Sequence, residues 1–175
     1  IDGLGGQDTV TVTSSLDMTG DNLSITAESI TVNSGVTITA NDITFTASAT
    51  DAGLLGGWLN DLYQLTFAED VVLANADATI DLTGATLDGN NITLNATSTL
   101  DIDTDGFSIS SVTFAVIYAQ SDADVILHNT TIAAGGNLSI SAASNVAARA
   151  SLKSDASTSS SFDAAIAVSY IDSAA

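Results

Sequence analysis

Residues 20–47, GDNLSITAESITVNSGVTITANDITFTA, constrain the fold more than any other part of the chain. Leu23 and Ile25 alternate with Ser24 and Thr26, and the pairs Ile30/Val32, Val36/Ile38 and Ile43/Phe45 follow in the same manner. Apolar residues at every second position mark a strand with one buried face. The runs are short and broken by Asn, Asp, Gly and Ser, which argues against a sandwich built on long hairpins. A unit that returns about every twenty residues reads first as a stack of coils.

Four copies of one unit overlay: SSLDMTGDNLSITA from Ser14, NSGVTITANDITFTA from Asn33, LTGATLDGNNITLNA from Leu82 and HNTTIAAGGNLSISA from His128. Each holds an apolar pair, a small turn, a second apolar pair and a closing Ala. Three apolar columns result: Met18, Ile38, Leu87, Ile132; Leu23, Ile43, Ile92, Leu138; and Ile25, Phe45, Leu94, Ile140. Like residues at equivalent places stack inside a coil, each rung covering the next. Asn22, Asn41, Asn91 and Asn137 fall at the turn, where Asn tolerates the left-handed conformation and stacked amides bond to one another. The predicted fold is all-β: a parallel β-helix (β-solenoid) of about 20-residue coils, forming a single segment over 1–175 with one insertion at 51–70.

The chain has no Pro among 175 residues, where average usage of about 5% would give roughly nine. A coil interior uses every backbone N–H for rung-to-rung bonds, so the exclusion fits. Lys+Arg number 2 against 21 Asp+Glu, a formal net charge of −19. That balance argues against nucleic acid or an anionic membrane surface as partner. Nothing in the chain reads as a membrane-spanning run. It starts at Ile1 and closes on a strand pattern at 169–171, which reads as a piece of a longer protein.

Two segments carry candidate sites. In 51–70, Leu54, Leu55, Trp58, Leu59, Leu62 and Tyr63 recur at three and four residues, which predicts a short helix or helical loop. Its apolar face either packs on the solenoid or forms a partner contact through Leu55, Trp58, Leu59 and Tyr63, since aromatics anchor interfaces. In 100–112, Asp101, Asp103, Asp105 and Gly106 reproduce the first half of a D-x-D-x-D-G calcium loop, with Val112 where a bidentate Glu is wanted. The competing reading is a strand with Leu100 and Ile102 inward and the three Asp in water. Ca2+ is the one cofactor the sequence suggests; none is required. Gly3, Gly6, Asp8 and Val10 match a degenerate calcium nonapeptide, a weaker signal of the same kind. His128 has no second His and no Cys to work with, which predicts an exposed turn residue.

The x-G-N-L-S-I-x-A units at 136–142 and 20–27 resemble those of filamentous-haemagglutinin-like proteins, and AAIAVSYIDSAA at 164–175 resembles strands of giant repetitive surface proteins. The resemblance covers nearly the whole chain outside 51–70. It implies a right-handed β-helix, secretion to the bacterial cell surface or extracellular space, and adhesion or filament building without catalysis. The implied partners are a protein or glycan surface, or neighbouring copies in a fibre. Two alternatives stand beside it. Ice binding would use rows of outward Thr, and the outward pairs here are Ser24/Thr26, Thr44/Thr46, Thr93/Asn95 and Ser139/Ser141. An enzyme on acidic polysaccharide would need a basic cluster, for which Arg149 and Lys153 alone are poor material.

Overall fold

The computed structural model describes residues 1, 7–50, 70–107, 112–153 and 164–175, with side chains at 1, 7–50, 74–102, 117–149 and 169–175. These residues form eleven strands and no helix: β1 (Thr9–Val12), β2 (Leu16–Met18), β3 (Leu23–Ala27), β4 (Ser29–Val32), β5 (Thr37–Thr50), β6 (Asp70–Asp81), β7 (Thr86–Phe107), β8 (Val112–Ile126), β9 (Thr131–Ala134), β10 (Leu138–Lys153) and β11 (Ala164–Ala174). The segment 51–69, and with it the expected helical insertion, lies outside the described residues.

Two sheets hold all the strands. One has the order β2/β3–β5–β7–β9/β10 and the other β1–β4–β6–β8–β11. Apart from β2 to β3 and β9 to β10, which stay in the first sheet, each step passes to the other sheet, and order within each sheet follows order along the chain. Every pairing among the described residues is parallel. Parallel neighbours need a crossover, and here each crossover is a strand of the opposite sheet.

The spacing between stacked residues changes along the molecule. Thr9 lies beside Ser29, a separation of 20 residues. Thr37 lies beside Thr86, a separation of 49, and Val112 beside Ala164, a separation of 52. The expected period of about twenty residues therefore describes only the first circuit. Later circuits carry longer strands, up to the 22 residues of β7, and the one from Thr37 to Thr86 also includes 51–69.

Registry bears out two of the three apolar columns. Leu23, Ile43, Ile92 and Leu138 are successive partners, as are Ile25, Phe45, Leu94 and Ile140. The third column is corrected: Leu16, not Met18, lies beside Ile38, with Leu87 and Ile132 above. The first circuit spends two more residues on its turn at 19–22, where Gly20 has φ +92°, and the alignment by turn shifted the pair. Ile25, Ile38, Ile43, Phe45, Leu87, Ile92 and Leu94 are fully buried. At about 1.5–3 kcal/mol per large apolar side chain, these columns dominate the stabilising side of folding. Leu138 and Ile140 continue them but remain half-exposed, β10 being the last strand of its sheet among the described residues.

Elsewhere the interior is built from small residues. Ala47, Ala49, Ala76, Ala78, Ala96, Ala119 and Ala123 are buried, together with Ser98 and Ser121. The serines form a chain of hydroxyl contacts between the sheets. Ser173 Oγ donates to Ser144 Oγ (2.9 Å), Ser144 to Ser121 Oγ (2.8 Å), and Ser121 Oγ lies 2.6 Å from Ser98 Oγ. Ser98 in turn donates to the Ala76 carbonyl at 2.6 Å. Ser144 Oγ also lies 2.8 Å from the Ser121 carbonyl oxygen, so its one proton has two acceptors within reach.

The turns leading from the second sheet into the first also stack. Gly35 (φ +80°), Gly84 (φ +73°) and Asn129 (φ +52°) occupy matching left-handed positions. A Cβ on Gly84 would press on the Ser34 side chain in the neighbouring turn, so here glycine suits the space as well as the conformation.

Candidate binding faces

A strand sends alternate side chains to opposite faces, so the columns that fill the interior dictate a second set of columns outside. In β5 that alternation slips once. Ala40 and Ile43 are both buried, and Asn41 and Asp42 between them both face outward. The same slip occurs at Asn90 and Asn91 in β7. A ladder of polar side chains marks this corner. Asn41 Nδ2 donates to Asn22 Oδ1 (3.0 Å), Asn91 Nδ2 to Asp42 Oδ1 (2.8 Å), and the Asn137 backbone N–H to Asn91 Oδ1 (3.1 Å). The expected amide-to-amide bonding holds between Asn22 and Asn41; Asn91 bonds instead to the Asp42 carboxylate beside it, and Asn137 joins through its backbone N–H.

Past the corner, the first sheet presents an uncharged face. Its columns are Ser24–Thr44–Thr93–Ser139, Thr26–Thr46–Asn95–Ser141, Ser48–Thr97–Ala143 and Thr50–Thr99–Asn145. Every one of these side chains is exposed or half-exposed. Ser141 Oγ donates to Asn95 Oδ1 at 2.7 Å. The face ends at Asp42 on one side and Asp101 on the other. Sequence reading found the first two columns. Missing were Ser48, Thr50, Thr97 and Thr99, whose signal was the unbroken alternation of TASAT at 46–50 and NATST at 95–99.

The second sheet presents a different outer face. Asn75 pairs in register with Gln120 and Gln120 with Asp172; Asp77 pairs with Asp122, and Thr79 with Asp124. Asn75 Nδ2 donates to Asp77 Oδ2 (3.0 Å) and Gln120 Nε2 to Asp122 Oδ2 (3.2 Å), the same amide-to-carboxylate contact in two successive circuits. Tyr118 and Tyr170 are cross-strand partners whose rings stack, centroids 5.3 Å apart and 7° from parallel.

Asp101 is exposed on β7, and Leu100 and Ile102 beside it are buried. The backbone through Asp103 and Asp105 is strand, with Asp103 beside Arg149 and Asp105 beside Ser151 in β10. The side chains of Asp103 and Asp105 lie outside the described ones, and no cluster of three metal-ligating side chains occurs among the described residues. Leu55, Trp58, Leu59 and Tyr63 lie outside the described residues altogether. His128 is exposed in the turn after β8, and its carbonyl accepts from the Gly84 N–H at 2.8 Å. The surroundings of one carboxylate favour its charged form. The Thr19 hydroxyl (2.7 Å), and then the Thr19 backbone N–H (3.1 Å), hold Asp17 below the usual carboxylate range.

No protein-family model, no curated protein and no solved structure matches the chain.

Proposed function

We propose that the chain is a stretch of parallel β-solenoid serving as a non-enzymatic structural and adhesive segment of a large secreted bacterial surface or filament protein. One observation carries this reading: each sheet is visited in turn, and the columns Leu23–Ile43–Ile92–Leu138 and Ile25–Phe45–Leu94–Ile140 stay in register through four circuits. Such a body lengthens by about 4.8 Å per added circuit, each one burying its faces against two neighbours. Extension needs no catalytic group, and the outer faces are left to make contacts. Electron micrographs of the purified protein at rising concentration, together with binding of protein-coated beads to glycan and cell surfaces, test the proposal. Filaments or surface-retained beads are the expected result. Isolated particles on beads that hold to nothing would overturn it.

Ice binding is a second reading, favoured by the uncharged outer face. Six of its eight positions on β5 and β7 are Thr: Thr44, Thr46, Thr50, Thr93, Thr97 and Thr99. Thermal hysteresis of the purified protein decides it, with Thr93→Lys/Thr97→Lys as the inactivated control. Zero activity in the unmodified protein removes this reading.

A further inference from the structure

We propose that the uncharged outer face of the first sheet pairs with the same face of a second copy of this chain, packing two solenoids side by side. The inference rests on the filament reading above and names the surface through which neighbouring copies meet. The placement of charge singles that surface out. The chain carries −19. Exposed or half-exposed carboxylates stand on the second sheet at Asp77, Asp122 and Asp124, and on the first sheet before the corner at Asp17 and Asp88. Between Asp42 and Asp101 the outward columns hold only Thr, Ser, Asn and one Ala.

Distance decides what a second copy meets there. The middle of the face, between Asn95 and Thr97, lies five residues along β7 from Asp101 and five from Asn91, the partner of Asp42. At roughly 3.3 Å per residue that is about 16 Å, twice the Debye length of about 8 Å at physiological ionic strength. Glu28, where the first circuit leaves this sheet, follows Ala27, two rungs or about 10 Å from Ala96. Its carboxylate accepts the Asp8 backbone N–H at 2.7 Å. Two acidic copies repel wherever their carboxylates come together, and at this face they need not. A basic partner gains nothing from a charge-free surface, and a neutral one is indifferent to acids elsewhere; a second acidic copy is the partner for which the absence matters. Stacked columns of like side chains can interdigitate with their own kind across paired sheets, and polar atoms bonded within the face, as Ser141 Oγ is to Asn95 Oδ1 (2.7 Å), need not seek water. The face spans about 20 Å by 14 Å, on the order of 300 Å², against about 800 Å² per partner in a standard interface. One chain therefore pairs weakly, and pairing strengthens with each circuit that joins the face.

The chain has no Cys, so single cysteines report which faces meet. Thr46→Cys and Thr97→Cys should give several-fold more disulfide-linked dimer under mild oxidation than Thr79→Cys on the second sheet, and the yield should rise with salt. In sedimentation velocity, Thr46→Asp/Thr97→Asp should weaken pairing at least about 10-fold. These two positions lie in different columns, so their carboxylates are not stacked within one chain. Thr46→Asn/Thr97→Asn, which adds no charge, should keep the pairing. Equal trapping on both sheets, or pairing unchanged by the Asp variant, would overturn the face. Filaments that still lie side by side with the Asp variant would do the same and leave the filament reading standing. Retention of a strictly monomeric chain on insoluble neutral polysaccharide, lost in the Asp variant, would assign the face to a glycan and refute the second copy.

Discussion

The two outer faces are built on one backbone path and share one interior, yet they carry opposite chemistry. On the first sheet Thr, Ser and Asn stack on their own kind in four columns. On the second, carboxylates, amides and tyrosines do the same. In-register parallel stacking amplifies whatever a position holds, because the same side chain recurs within about 5 Å. Repetition is easily accommodated for a hydroxyl or an amide, which can bond to its neighbour. It is unfavourable for a carboxylate, since like charges directly opposite destabilise a sheet. The second face bears signs of that cost. Asn75 and Gln120 each donate to the Asp beside them, and the Asp77–Asp122 column ends at Ala174. The uncharged face is thus self-sufficient, whereas the acidic one gains from any counter-charge that arrives.

The largest expected effect tests whether the faces really share their support. Phe45 is fully buried between Ile25 and Leu94 in the middle of an aliphatic column. Phe45→Ala should cost about 3–5 kcal/mol, read by urea unfolding. A cooperative loss of both sheets is expected. If the second sheet stayed protected from amide exchange while the first opened, the two faces would be separate units and the comparison would fail.

Next comes the seam where the sheets meet. Ser121 is fully buried among Ala119, Ala123 and Ser98, and links Ser144 to Ser98. Ser121→Val should destabilise by about 1–3 kcal/mol, since a larger side chain has no room there. Ser121→Ala should cost about 1 kcal/mol, the usual net worth of a hydrogen bond. An equal response to both would mean that the hydroxyl chain, not the space, sets the cost.

The contrast between these two interior regions also explains what the sequence could and could not disclose. Large aliphatics at every second position, as in Leu23/Ile25 and Ile43/Phe45, identify the columns and their partners from the residue pattern alone. The turn Asn residues mark the corner in the same way. Where the interior is Ala and Ser, hydrophobic patterning is weak. In β8 the larger residue Tyr118 lies outside, while Ile117, Ala119, Ser121 and Ala123 point inward. Size alone would reverse that choice. The chemistry of the second sheet's outer face was equally hidden, because it depends on which residues 45 to 52 positions apart become neighbours, as Tyr118 and Tyr170 do. A one-residue error in register erases such a pair. The acidic run at 101–105 was legible only as a motif, and its strand backbone matches the plainer of the two readings offered for it.

Smaller effects sharpen the contrast between the faces. Asp122→Asn removes one member of the registered Asp77–Asp122 pair and should stabilise by about 0.2–1 kcal/mol at low salt. The gain should shrink as salt screens the remaining charges. Installing the same arrangement on the uncharged face, with Thr44→Asp and Thr93→Asp together, should destabilise by a similar amount and recover with salt. Thermal melts across an ionic-strength series measure both. A gain from Asp122→Asn that persisted undiminished at high salt would locate the cost in packing rather than in stacked charge.

The smallest expected effect concerns a carboxylate that faces no charge across its rung. Asp17 lies beside Thr39 and takes both its bonds from Thr19, the hydroxyl first and the backbone N–H second. Its folded-state pKa is lowered, so whatever it contributes to stability is present above the unfolded carboxylate pKa. That contribution is lost as pH falls through the lowered folded value. Thr19→Ala removes the larger cause and leaves the N–H. The Asp17 pKa should therefore rise part of the way toward its ordinary range, as followed by NMR titration of its side chain. Because Asp17 is fully exposed, the melting temperature should hardly move. A titration midpoint left in place by Thr19→Ala would trace the lowering to the backbone donor alone. In that case the local turn, and not the side chains it displays, would govern ionisation at this edge of the first sheet.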